Sequence, residues 1–141
     1  MALIVHKYGG TSMGSTERIA LVAKRVAKWA RAGHKMVVVP SAMSGETNRL
    51  LALAKELAPA KPGDAYNREL DMLASTGEQA SSALLAIALQ AEGLEAVSYA
   101  GWQVAIKTNS AYTKARIESI DDKKVRADLD AGRVVIVTGF Q

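Results

Sequence analysis

Apolar and polar positions along this chain fall into blocks, and the period changes from block to block. Leu3, Ile4, Val5 and His6 form a short apolar run that predicts a buried strand. Over residues 17–32 the period becomes helical. Ile19, Val22, Val26 and Trp29 recur at spacings of three and four, with Ser15 or Thr16 as the cap and Gly33 where a left-handed C-terminal residue belongs. Residues 36–39 predict a second buried strand, closed by Pro40, and residues 47–57 a second helix. Helical character resumes over residues 66–91, interrupted at Thr76-Gly77 and closed by Gly93. Residues 96–99 and 104–107 read as strands. Asp121 or Asp122 caps a short helix that ends at Gly132, and residues 133–138 form a final β-branched strand.

Strands that alternate with helices in this way predict an α/β fold with a mostly parallel sheet between helices. In such folds ligands bind beyond the carboxyl ends of the strands. Residues 58–64, with Pro59, Pro62 and Gly63, are the clearest breaker and read as an exposed loop inside one domain, since neither side alone buries a good core. The length of 141 residues fits that single domain, and no internal repeat is visible.

Composition narrows the function classes. With 49% hydrophobic and 23% charged residues, the chain is neither disordered nor of low complexity. No apolar run approaches the roughly 20 residues that span a bilayer, and the N-terminus lacks the basic and apolar regions of a secretory signal. The absence of cysteine excludes disulfides and thiolate metal sites, and the isolated His6 and His34 do not make a zinc site. The expected compartment is the cytoplasm. The net charge of +4 includes Lys24, Arg25, Lys28 and Arg31 on one helical stretch, which reads as a solvated face. Aromatic residues are 5% and do not interleave with the charges, so no nucleic-acid stacking surface is indicated. An anionic small molecule fits the basic excess.

Two small-residue loops lie at strand ends. In Lys7-Tyr8-Gly9-Gly10-Thr11-Ser12, glycines let the backbone approach a ligand, successive N–H groups near a helix start form an anion nest, and Lys7 adds a full positive charge. These parts suit a triphosphate or a transferring phosphoryl group, although a plain tight turn has the same composition. The loop is neither a Walker A motif, because its lysine precedes the glycines, nor a G-x-G-x-x-G fingerprint. In Ser41-Ala42-Met43-Ser44-Gly45-Glu46-Thr47-Asn48, Ser41 and Ser44 can donate to an anion, or Ser44 or Thr47 can simply cap the helix, while Met43 reads as packing.

Other residues remain open at this level. If Gly77 opens a new helix, Glu78 sits in its first turn, either complementing the dipole or binding a substrate ammonium. Arg116 is either a surface arginine or a bidentate carboxylate ligand. His6 reads as a packed strand histidine, and Trp29 and Trp102 as core or interface.

Taken in order, Lys7-Tyr8-Gly9-Gly10-Thr11-Ser12, the residue 41–48 loop, Thr76-Gly77-Glu78-Gln79 and Gly139-Phe140-Gln141 closely resemble the aspartokinases of the amino acid kinase family. The resemblance covers essentially the whole chain, and it is the ordered set that is specific. It implies a three-layer αβα sandwich. It also implies transfer of the ATP γ-phosphoryl to the β-carboxylate of L-aspartate, the first step towards lysine, by way of diaminopimelate, and towards methionine and threonine. Mg2+ would be carried with the nucleotide and not held in a dedicated protein site. By the same resemblance Lys7 stabilises the transferring phosphoryl, and Tyr8, Gly9, Gly10, Thr11 and Ser12 belong to the phosphate-binding loop. Ser41, as a nucleotide-site candidate, and Thr47, as a substrate-site candidate, fall on positions lining the nucleotide or aspartate site, and Glu78 matches the residue that contacts the aspartate ammonium. Arg116 stays a substrate-binding candidate on its own chemistry and not by the resemblance. No general base is needed, because a carboxylate is already ionised at pH 7.

Met13 and Pro40 stand where the family more often has valine and read as packing changes, and Asn109 stands where aspartate is expected. The resemblance further implies that residues 1–141 are the N-terminal portion of the catalytic domain. The nucleotide-binding half, with its G-R-G-G-S-D motif, and the regulatory ACT domains would then be absent. On that reading the isolated chain is inactive, and the full-length protein is a homo-oligomer without nucleic-acid or membrane partners. The alternatives are another amino acid kinase, acting on acetylglutamate, glutamate or carbamate, and a folded fragment without catalysis.

Overall fold

The computed structural model describes residues 1–58, 63–104 and 106–139. Its elements run β1 (Leu3–Tyr8), α1 (Thr16–Arg31), β2 (Lys35–Pro40), α2 (Glu46–Leu57), α3 (Asp64–Ala91) and β3 (Ala96–Tyr99), then β4 (Ile106–Thr108), β5 (Ile117–Ile120), α4 (Lys123–Asp130) and β6 (Val134–Val137). Four strands form one sheet in the order β1-β2-β6-β3, and every pair is parallel. This is the expected α/β class.

Period-two alternation decides which side chains meet. Met36 and Val38 of β2, Val134 and Ile136 of β6, and Tyr8 of β1 point to the same face. There they bury Ile19, Val22 and Val26 of α1 and Leu85 and Leu89 of α3. Full burial of each such side chain stabilises by about 1.5–3 kcal/mol. Met13 and Pro40 are fully buried, consistent with packing roles. α4 packs against β2 and β6. On β1 the opposite face is open, where Leu3 and Val5 are 54% and 60% exposed. No helix of the described residues is long and apolar enough to cross a membrane.

Helix α1 begins as expected. Ser15 is its N-cap and accepts from Arg18 N at 3.2 Å, and Gly33 follows with φ +95°. Asp121 Oδ1 accepts from Lys123 N at 3.1 Å at the start of α4, while the Asp122 carboxylate pairs with Arg126.

Four expectations need correction. α3 runs unbroken through Thr76-Gly77. The strand expected over residues 104–107 begins instead at Ile106, because Val104 follows a short 3-10 turn, Gly101–Gln103. β5 was not foreseen: it pairs antiparallel with β4 in a separate two-stranded sheet. A four-residue strand in such a small hairpin carries too few alternations to be read from its residues. The core reading of the tryptophans also fails. Trp102 is 77% exposed, and Trp29, at the margin of the α1 apolar face, is 38% exposed with Lys28 Nζ 5.4 Å from its ring centroid. The breaker loop and Phe140-Gln141 fall largely outside the described residues.

One polar cluster ties β3 to α4. The Tyr99 hydroxyl donates to Asp128 Oδ2, and Arg133 Nη1 donates to Asp128 Oδ1 at 3.0 Å. The bond to Asp128, followed by burial, raises the Tyr99 pKa above 10.0. A raised tyrosine pKa means that the fold prefers the neutral hydroxyl. Its stabilisation is complete below the unfolded value and is lost as pH rises through the folded one. The denaturant midpoint of the wild-type protein should therefore fall as pH rises past about 10, and Tyr99→Phe should flatten that fall. An unchanged slope in the variant would show that another group carries it.

Candidate functional site

The carboxyl ends of β1 and β2 bring the two small-residue loops side by side. After β1 the chain makes successive tight turns: Ser12 N, Met13 N and Gly14 N donate to the carbonyls of Gly9, Gly10 and Thr11 at 3.1, 3.1 and 3.3 Å. The amides of Gly10 and Thr11 are left without an acceptor among the described residues. Buried Met13 anchors this loop to the core. Arg18 Nη1 donates to the Thr11 carbonyl at 3.2 Å, a contribution that sequence spacing did not single out. The second loop is pinned to the first strand by Ser41 N donating to the Tyr8 carbonyl at 2.8 Å.

Of the two readings left open for the second loop, capping of α2 by Ser44 or Thr47 is not what the structure shows. The N-cap is Gly45, left-handed at φ +79°, with no side-chain cap bond. A side chain there would be strained, so glycine makes the turn into the helix. The first-turn amides of Thr47 and Asn48 consequently have no acceptor among the described residues. Open N–H groups at a helix start, with the positive end of the macrodipole, favour an anion.

α3 forms the third wall. Glycine in a helix interior is less stable than alanine by roughly 1 kcal/mol, which is why Gly77 reads as a helix end. The fold supplies another reason for it. A Cβ on Gly77 would lie 3.2 Å from Ala42 Cβ and 3.4 Å from Glu46 Cγ, so the helix needs glycine to approach the second loop. Glu78 is therefore a mid-helix residue and not part of a first turn, and the helix dipole does not account for its charge. It is half-buried, and its Oε2 is shielded from solvent. Gly139, beyond β6, sits against Val39, Pro40 and Glu78 Oε1.

These elements line an open cavity of about 330 Å³ whose lining includes Gly10, Thr11, Ser41, Thr47 and Glu78. The other candidates lie elsewhere. Lys7 and Tyr8 line a separate depression of about 460 Å³ with Arg25 and Lys28. Lys7 is paired in register with Val39, so both side chains share one face of the sheet, and Val39 Cγ1 lies against Gly139. Lys7 itself is not among the residues that line the cavity.

Tyr8 is a core residue. Its hydroxyl is 3.0 Å from His6 Nδ1, and burial, opposed by Arg25, raises its pKa. Its contribution to the loops is its carbonyl. Gly9 is exposed. Ser12 lines a third depression with Arg18 and Arg25. Arg116 is exposed in the β4–β5 connection, and the structure does not bring it to the cavity. Asn109 closes that connection: its Oδ1 accepts from Ala111 N at 3.1 Å and Arg116 N at 3.3 Å. Thr113 N donates to Asp71 Oδ2 at 2.8 Å and ties the hairpin to α3.

Chemically, the cavity offers open amides and hydroxyls for anionic oxygens on two walls and one carboxylate for a cation on the third. Among the described residues no three of His, Cys, Asp and Glu converge on a point. A divalent cation here would be held chiefly by ligand phosphate oxygens and water, the usual habit of Mg2+.

The chain matches the sequence model of the amino acid kinase family over residues 2–141. It is 61% identical over 143 aligned residues to an aspartate kinase of Pseudomonas fluorescens, covering 100% of this chain and 34% of that protein. The chain thus spans about a third of the length of this curated relative. Among solved structures it is similar to an aspartate kinase from Synechocystis, with TM-score 0.77 and 41% identity over 99% of this chain and 22% of that one. It also shares its fold with E. coli aspartokinase III in complex with aspartate and ADP, with TM-score 0.81 and 22% identity over 98% of this chain and 40% of that one.

Proposed function

The chain belongs to the amino acid kinase family, and from that premise we propose that it forms the substrate-facing part of an ATP-dependent aspartate kinase. The reaction breaks the bond between the γ-phosphorus of ATP and its bridging oxygen, and forms a bond from that phosphorus to a β-carboxylate oxygen of L-aspartate. The products are aspartyl phosphate and ADP. The observation that carries this reading is the convergence of Gly10, Thr11, Ser41, Thr47 and Glu78 on one cavity beyond the strand ends.

Two anions must meet in this reaction, so catalysis is mostly positioning and charge neutralisation. The open amides of Gly10 and Thr11 and the start of α2 bind phosphate and carboxylate oxygens. Lys7 neutralises charge that builds on the transferring phosphoryl. Glu78 holds the aspartate ammonium. Mg2+, bound with the nucleotide, supplies further charge neutralisation. The acceptor carboxylate is ionised at neutral pH, so no side chain needs to remove a proton.

The test is a coupled assay of the full-length protein containing this chain, with ATP, Mg2+ and each candidate acceptor. The expected result is phosphorylation of L-aspartate, trapped as its hydroxamate, in strong preference to glutamate, N-acetylglutamate and carbamate. A preference for any of those three would overturn the reading.

A further inference from the structure

Two consecutive hydrogen bonds connect the walls of the cavity, and the second uses a side chain to which no role is yet given. Ser41 N holds the second loop to β1 through the Tyr8 carbonyl. The carbonyl of the same Ser41 accepts the Ser81 hydroxyl at 2.7 Å, across from β2 to α3. Ser81 lies one turn beyond Glu78 and is fully buried. A hydroxyl has one proton. The bond to Ser41 takes it, and the 3.2 Å contact to the Glu78 carbonyl within the helix is secondary. Beside it, Gly77 removes the side chain that would keep α3 away from Ala42. One residue thus permits the close approach of helix and loop, and the other locks it.

We infer that Ser81 is a positioning residue, setting the spacing between the Ser41–Thr47 side of the cavity and the Glu78 side. The inference rests on the aspartate kinase reading only for its kinetic arm. Losing the hydroxyl leaves the Ser41 carbonyl without its side-chain donor and frees the loop to move against the helix. The loop that follows β1 is held separately, by its own turns and by Met13, so the phosphate-binding side should be affected less.

The neighbouring residue is a matched control. Ser82 is 1% exposed on the same helix, and its Oγ makes no hydrogen bond among the described residues. Removing that hydroxyl deletes the same atoms without touching the loop.

The experiment compares Ser81→Ala, Ser82→Ala and wild type in the full-length protein, by amide hydrogen exchange and by steady-state kinetics. In Ser81→Ala, exchange at the amides of Ser41 and Glu46 should rise about tenfold above the change seen elsewhere in the sheet. KM for aspartate should rise about tenfold, with KM for ATP within about twofold of wild type. Ser82→Ala should leave all of these unchanged. If Ser81→Ala does not fold, Ser81→Cys, which keeps a weak donor at nearly the same volume, should show the same local exchange at smaller amplitude. The inference is overturned if the Ser81 variant matches the Ser82 variant, or if exchange rises uniformly with both KM values unchanged. Because exchange needs no substrate, an enzyme that does not phosphorylate aspartate would sink the functional reading and still leave the role of Ser81 decided by the exchange arm.

Discussion

In the full-length protein, Lys7→Ala is expected to lower kcat about a hundredfold while leaving KM for aspartate close to wild type. The magnitude follows from the chemistry. A pre-positioned charge facing a transferring phosphoryl contributes on the order of 3 kcal/mol to the transition state, and each 1.36 kcal/mol is about a factor of ten. Lys7 is exposed on an edge strand and outside the core, so its removal should not unfold the protein. Its side chain shares a sheet face with Val39, which rests on Gly139, and Gly139 adjoins Glu78. A kcat within about threefold of wild type would show that Lys7 belongs only to the depression it shares with Arg25 and Lys28.

Glu78→Gln keeps the shape of the side chain and removes its charge. If the carboxylate holds the substrate ammonium, KM for aspartate should rise roughly tenfold to a hundredfold, with KM for ATP little changed. That range corresponds to a charge-assisted hydrogen bond of roughly 1.5–3 kcal/mol. Because Glu78 is mid-helix, the outcome cannot be attributed to the loss of a first-turn carboxylate at a helix dipole. Equal changes in both KM values, or a lower melting temperature with unchanged kinetics, would assign Glu78 to packing against the Gly139 segment instead. The discriminating measurement is a pair of substrate titrations, each at saturating partner substrate.

The places where residue pattern and structure disagree share a cause. Gly77 looks like punctuation in a helical sequence, because locally glycine weakens a helix. The contact that explains it, Ala42 Cβ, is 35 positions away in the chain and invisible to any local rule. Ser44 and Thr47 look like caps, because both residue types favour that place. Gly45 takes the position because the turn there is left-handed. Arg18 supports the Thr11 carbonyl across a helix start, a contact that no periodicity marks. Asn109 closes the β4–β5 connection with its side-chain oxygen, an acceptor that aspartate also has.

Apolar periodicity by itself determined the parallel α/β architecture, the span of α1 from its serine cap to Gly33, and the location of the two small-residue loops at the carboxyl ends of β1 and β2. Those features depend on residues close together in sequence, whose spacing directly sets which face is buried. The composition of the first loop suited an anionic phosphate, through backbone N–H groups made accessible by glycine and through hydroxyl and lysine donors, and the ordered set of motifs pointed to phosphoryl transfer by its resemblance to the amino acid kinases. Only the tertiary structure decided that Gly10, Thr11, Ser41, Thr47 and Glu78 share one cavity while Arg116 does not. It also decided that α3 runs straight past the second loop, locked to it by Ser81. Those outcomes depend on where one element comes to rest against another, and that is set by close packing between residues that sequence spacing does not relate.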